Sequence, residues 1–210
     1  MEEYTFEDAL VGATVTCSFP GLQAVRANHD VFDKDCTSLF FPGCSFINYG
    51  LALVKAVNDL LVEAGSVDGM SLLCCGKILQ WEPEAETVRP AFEQQFRDHI
   101  AQTNIKRIVA ACPNCVLALR TLLAAEERTA SIEVVPLVTE LVNLGYRIDE
   151  ELAGNVARQD ARIGEDEAVV FCVKDSCPDR ETGEFAEGLR AIMPASMVVD
   201  PQHNRAKSVC

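Results

Sequence analysis

The chain has 210 residues, 49% of them apolar, and carries 32 acidic against 18 basic side chains for a net charge of −14. That length can bury one or two ordinary cores, and no apolar run approaches the roughly 18 residues that a membrane span needs. The acidic balance argues against a nucleic-acid partner, because a phosphate backbone would be repelled and no basic patch interrupts the charge; solubility is its ordinary purpose. The first residues, MEEYTFEDAL, are acidic where a secretory signal is basic and then apolar, so a cytoplasmic location is expected. In a reducing compartment, 10 cysteines point to metal or redox chemistry before disulfides.

Residues 1–37 show no strong periodicity and read as an N-terminal extension, in which DALVGATV (8–15) is expected to pack as a short helix. From residue 38 apolar runs and amphipathic stretches alternate. SLFFPG (38–43) reads as a strand, and SFINYGLALVKAVNDLLVEAG places Leu51, Val54, Val57, Leu60 and Leu61 at helical spacing, with Gly65 as the stop. MSLLCC is a short strand, ETVRPAFEQQFRDHIAQT a helix, IKRIVAAC a strand, and PNCVLALRTLLAAEE a helix with proline at its start. SIEVVPL and VTELVNLGY give one more pair. This is the alternation of an α/β fold, a parallel sheet flanked by helices, over residues 38–147. The polar segment 148–167 reads as a linker. From 168 the order begins again, with strand AVVFCVKDSC, helix PDRETGEFAEGLRAIMP and strand SMVVDP, the start of an incomplete, pseudo-repeated second module over 168–210.

On this frame Cys44 follows the first strand, Cys74 and Cys75 the second, Cys112 ends the third, and Cys115 lies in the first turn of the next helix. All five fall at the carboxyl edge of a parallel sheet, where such folds bind ligands. Five thiols exceed the four of a tetrahedral zinc site, whereas iron–sulfur clusters use thiolates readily and helix amino ends favour their negative charge. Adjacent strand residues point to opposite faces, so Cys74 and Cys75 can share one site only if the chain leaves the sheet there; Gly76 supplies the freedom for that turn.

The order is Cys44, 29 intervening residues, Cys74–Cys75–Gly76, then Cys112–Pro113–Asn114–Cys115, with 36 residues between Cys75 and Cys112. It resembles the cysteine-rich CCG module of heterodisulfide reductase and of the iron–sulfur subunits of glycolate, lactate and anaerobic glycerol phosphate oxidation systems. That resemblance implies a Rossmann-like module and a non-cubane [4Fe–4S] cluster held by Cys44, Cys74, Cys75, Cys112 and Cys115. It also implies an oxidoreductase subunit for electron transfer, extending to thiol or disulfide reduction, with a flavoprotein or ferredoxin-domain subunit as its partner. Oxygen destroys exposed clusters, so an aerobic preparation is expected to hold zinc or nothing at the site. Two other readings stand beside it: a structural zinc module built on CPNC and the Cys74–Cys75 pair, and a thioredoxin-like dithiol at Cys112 and Cys115.

VKDSCPDR, with Asp175, Cys177 and Arg180, resembles the opening of a second CCG module. Cys210 follows Cys177 after 32 intervening residues, so Cys177 and Cys210 join the candidate metal ligands. Because Cys210 is the last residue, the chain is expected to be cut short, by a cloning or gene-assignment boundary or by a selenocysteine codon read as a stop. Cys17, Cys36 and Cys172 fit no ligand slot and read as small core residues. His29, His99 and His203 are isolated, His99 on a charged, solvated helix face. Trp81, just after the CCG turn, is a candidate cover for the site.

Overall fold

The computed structural model describes residues 2–19, 24–28, 35–161, 164 and 167–201. It has two compact units, Met1–Val135 and Pro136–Cys210. The expected mixed α/β fold with a mostly parallel sheet is what the first unit forms: a seven-stranded sheet in the order β3-β2-β1-β5-β4-β6-β7.

The central strand is β4 (Ser38–Phe41), parallel to β5 (Gly69–Met70) on one side and β6 (Arg107–Ala110) on the other. Leu39, Phe40, Phe41, Ile108, Val109 and Ala110 are all completely buried. A strand covered on both faces reads as an unbroken apolar run, and each large side chain removed from water contributes about 1.5–3 kcal/mol. After β4 come α1 (Cys44–Tyr49) and α2 (Leu51–Glu63); Leu51, Val54 and Leu61 form the buried stripe of α2. Helix α3 (Ala85–Ile100) leads to β6, and α4 (Pro113–Leu123) to the edge strand β7 (Glu133–Pro136).

The described residues of the N-terminal extension are not helical. Strands β1 (Glu2–Asp8), β2 (Ala13–Phe19) and β3 (Ala24–Asn28) form an antiparallel meander, which β1 joins to the parallel sheet by pairing Asp8 with Met70 of β5. DALVGATV is the end of β1, a turn and the start of β2. Gly12, at φ 67°, makes the turn possible, and its N–H donates to the Asp8 carbonyl at 2.8 Å. In β2, Ala13, Val15 and Cys17 are buried while Thr14 and Thr16 are half-buried, the period-2 pattern of a strand with one face inward.

The start of β4 is held by Asp68. Its carboxylate accepts from Thr37 N (3.0 Å), Thr37 Oγ1 (2.7 Å), Ser38 N (2.9 Å) and the Cys36 thiol (3.0 Å). Burial pushes the carboxyl pKa up, but hydrogen bonds from Cys36, Ser38 and Thr37 outweigh it and hold the group at about 2. A folded-state pKa below the unfolded value gives stability that is full above the unfolded pKa and is lost as pH falls through about 2. Asp68→Asn should therefore cost about 1 kcal/mol at neutral pH, a value discounted for the exposure of the group, and the gap from wild type should close between about pH 4 and 2. Urea unfolding of both chains across that range checks it; a gap unchanged at the acid end would contradict it.

In the second unit, α5 (Leu137–Asn143) and α6 (Glu150–Ala161) precede β8 (Phe171–Cys172), α7 (Glu184–Ile192) and β9 (Val198–Val199), and β8 and β9 pair in parallel. Asp179, buried, accepts from Phe185 N at 3.0 Å and Ala186 N at 2.9 Å, capping the first turn of α7. Asp175 is buried and paired with Arg190 at 3.0 Å. No helix among the described residues is long and apolar enough to cross a membrane.

Candidate functional site

The three parallel strands deliver their cysteines to one edge. Beyond β4, Pro42 and Gly43 lead to Cys44 at the start of α1; beyond β6, Ala111 leads to Cys112, the N-cap of α4, with Cys115 in its first turn. Strand β5 is shorter than MSLLCC suggests. It stops at Met70, and residues 71–76 form a loop that carries Cys74 and Cys75 out of the sheet. Asp8, almost fully buried, holds that loop. Its Oδ1 accepts from Leu10 N and Val11 N, both at 3.0 Å, and its Oδ2 from Leu72 N at 2.8 Å and Ser71 Oγ at 3.1 Å.

Two glycines let the backbone come close. Gly43 has φ 78°, and a Cβ built on it would lie 2.8 Å from Cys115 Sγ and 3.4 Å from Cys112 Cβ. Gly76 has φ 74°, as the turn after the cysteine pair requires, and a Cβ there would lie 2.3 Å from the Phe92 ring. The Gly76 N–H turns back to Cys74 Sγ at 3.4 Å.

The sulfurs form a connected set. Cys75 is hydrogen-bonded to Cys115 and Cys74, Cys115 also to Cys112, and the field of Cys44 acts on Cys74. Hydrogen bonds from Cys115 and Cys74 overcome burial and hold Cys75 at about 3. Cys112 is held at about 6, first by Cys115, with burial opposing and the backbone N–H groups of Cys115 and Asn114 assisting. Those N–H groups open α4, whose amino end favours negative charge. Cys74 and Cys115 are pushed up, by their bonds to Cys75 and Cys112 respectively and by burial. A thiol carries one proton, so Cys115 cannot fully satisfy Cys75 and Cys112 together, and the set is left rich in sulfur lone pairs. Cys44 is exposed at its margin; all five cysteines are thiols, not disulfides.

This donor set suits a thiolate-bound metal group in kind and number. Among the described residues no three or more His, Cys, Asp or Glu side chains converge on a point where one metal ion would sit. Cysteines around a multi-iron cluster bind different irons and need no common point.

The other expected residues lie elsewhere. Cys177 begins a short 3₁₀ turn of the second unit and is disulfide-bonded; Cys210, His29 and His203 are outside the described residues. Cys17 and Cys36 are buried, and Cys172 is exposed on β8. His99 is exposed, as expected, and its Nε2 also meets the Leu10 carbonyl. Trp81 covers nothing: it is 80% exposed. Sequence reasoning passed over Asp8, Gly43 and Phe92. Of these only Gly43, between a strand and a cysteine, carried a local signal.

Residues 38–120 match the cysteine-rich CCG domain. The chain therefore carries a CCG domain there, a type typical of iron–sulfur proteins of the disulfide-reductase kind and one that commonly binds iron–sulfur clusters. The match begins at the first residue of β4 and contains all five cysteines of the edge; the β1–β3 meander lies outside it. No curated protein and no solved structure matches the chain.

Proposed function

We propose that the chain is an iron–sulfur oxidoreductase subunit, in which Cys44, Cys74, Cys75, Cys112 and Cys115 hold a [4Fe–4S] cluster of the non-cubane type. The observation that carries this reading is the connected set of sulfurs, drawn from three separate stretches of chain to one sheet edge. Such a cluster, when bound, accepts and releases electrons one at a time, which suits electron transfer and the stepwise reduction of a disulfide. The protein's own part is positional. Asp8 fixes the Cys74–Cys75 loop, Gly43 admits Cys115 Sγ against the backbone, and α4 presents its amino end to Cys112 and Cys115. Exposed Tyr49, Ile78 and Trp81, on elements following the cysteines, support a redox partner subunit that approaches this edge.

A structural zinc site is the second reading: Cys74, Cys75, Cys112 and Cys115 are four sulfurs of the right kind and number, but among the described residues no three of them converge on the single point that one zinc ion needs. Serine variants separate the two. After anaerobic reconstitution with iron and sulfide, Cys75→Ser and Cys112→Ser should lose most of the bound iron and the visible absorbance, and Cys44→Ser should show a weakened or shifted spectrum. Cys172→Ser should match wild type. A Cys44→Ser chain identical to wild type in iron content and spectrum would remove Cys44 from the ligand set.

A further inference from the structure

A cavity of about 300 Å³ lies beside the cysteine edge, with Cys44 in its wall. Val15 and Cys17 of β2, Ile47 of α1 and Leu72 and Leu73 of the cysteine loop give it an apolar lining, and Val11 and Ala27 stand at its exposed rim. Its size is at the lower end of the roughly 300–1,000 Å³ range of small-molecule sites, and such sites are mostly apolar with a few placed polar groups. One wall is the inward face of the meander. The register pairs Val15 with Ala27 on β3, and Val15 and Cys17 follow each other on the same face. That meander lies outside the CCG match.

The lining defines what fits. Among the described residues no Lys, Arg or His lines the cavity, and the chain carries a net charge of −14, so an anionic ligand finds no counter-charge. A cation finds no open acceptor to sit on: Asp8 is the lining carboxyl group, and each of its oxygens already accepts two hydrogen bonds, from Leu10 and Val11 and from Ser71 and Leu72. Asn48, exposed at the same wall, offers one amide. We infer that this cavity binds a small, uncharged, mostly hydrocarbon molecule with at most one hydrogen-bonding group, and that the bound molecule covers Cys44. Binding needs no iron, so the inference stands apart from the cluster reading.

The test uses the full chain and the uncharged fluorescent probe N-phenyl-1-naphthylamine, with the anionic 8-anilino-1-naphthalenesulfonate for comparison. The uncharged probe should bind saturably and at least tenfold more tightly than the anion. Val11→Trp and Ala27→Trp, which fill the cavity from its exposed rim, should each weaken it about tenfold while leaving the circular dichroism unchanged. Without metal, the bound probe should also slow carbamidomethylation of Cys44, read by peptide mass spectrometry, and leave Cys172 unaffected. Binding that both tryptophan variants leave unaltered, or a Cys44 alkylation rate that the probe does not change, would overturn the inference. A chain that binds the probe in this way yet takes up no iron would leave the cavity standing and fail only the cluster reading.

Discussion

Asp8→Ala is expected to destabilise the protein by about 3 kcal/mol, among the larger losses that a single substitution produces. Asp8 is 1% exposed, and four donors end on its carboxyl oxygens. Truncation leaves buried N–H and O–H groups unsatisfied, at about 1–3 kcal/mol for each that finds no new partner. The sum overstates the loss, because the two segments share one acceptor and relax together. Asp8→Asn keeps one acceptor oxygen and should fall between wild type and alanine. The effect reaches the site, since Ser71 and Leu72 are the anchor of the loop bearing Cys74 and Cys75. Denaturant unfolding measures the loss, and a cost under about 1 kcal/mol would show that the loop does not depend on Asp8.

Gly76→Ala should be nearly as costly, for two separable reasons. The left-handed backbone at φ 74° costs an L-residue about 1–2 kcal/mol, and the new Cβ would lie 2.3 Å and 2.5 Å from two carbons of the Phe92 ring, where overpacking costs about 1–3 kcal/mol. Phe92 cannot easily withdraw, because it packs against Phe96 with ring centroids 6.1 Å apart. A total of about 3 kcal/mol is expected. Phe92→Leu in the same chain should recover about 1 kcal/mol of the Gly76→Ala cost, the steric part. Strict additivity of the two substitutions would show that the clash with Phe92 contributes nothing, leaving backbone strain as the whole effect.

The parallel core was legible because β4 and β6 are buried on both faces: Leu39–Phe41 and Ile108–Ala110 are unbroken apolar runs that no surface strand would show. The grouping of the five cysteines followed from strand direction alone. The meander was missed although ATVTC carries the alternation of a strand, because Leu10 and Val11 beside it imitate a helical stripe. They lie instead in the turn that sets β1 beside β2, which Gly12 closes with its bond to the Asp8 carbonyl. The early end of β5 had no local signal at all. It depends on Asp8, which captures Ser71 and Leu72 from 63 and 64 residues away. A long-range polar clamp of that kind leaves no periodicity to read. The close approach of Gly43 to Cys115 was equally hidden, since it depends on how β4 and β6 lie side by side.

The sulfur edge should bind iron and sulfide together as a cluster. The most direct measurement is the iron, acid-labile sulfide and zinc content of the full chain after anaerobic reconstitution with all three available, read with its visible spectrum. A brown protein with iron and sulfide bound in matching amounts and little zinc is expected. A colourless protein that binds zinc tightly through its thiols and takes up neither iron nor sulfide would contradict it.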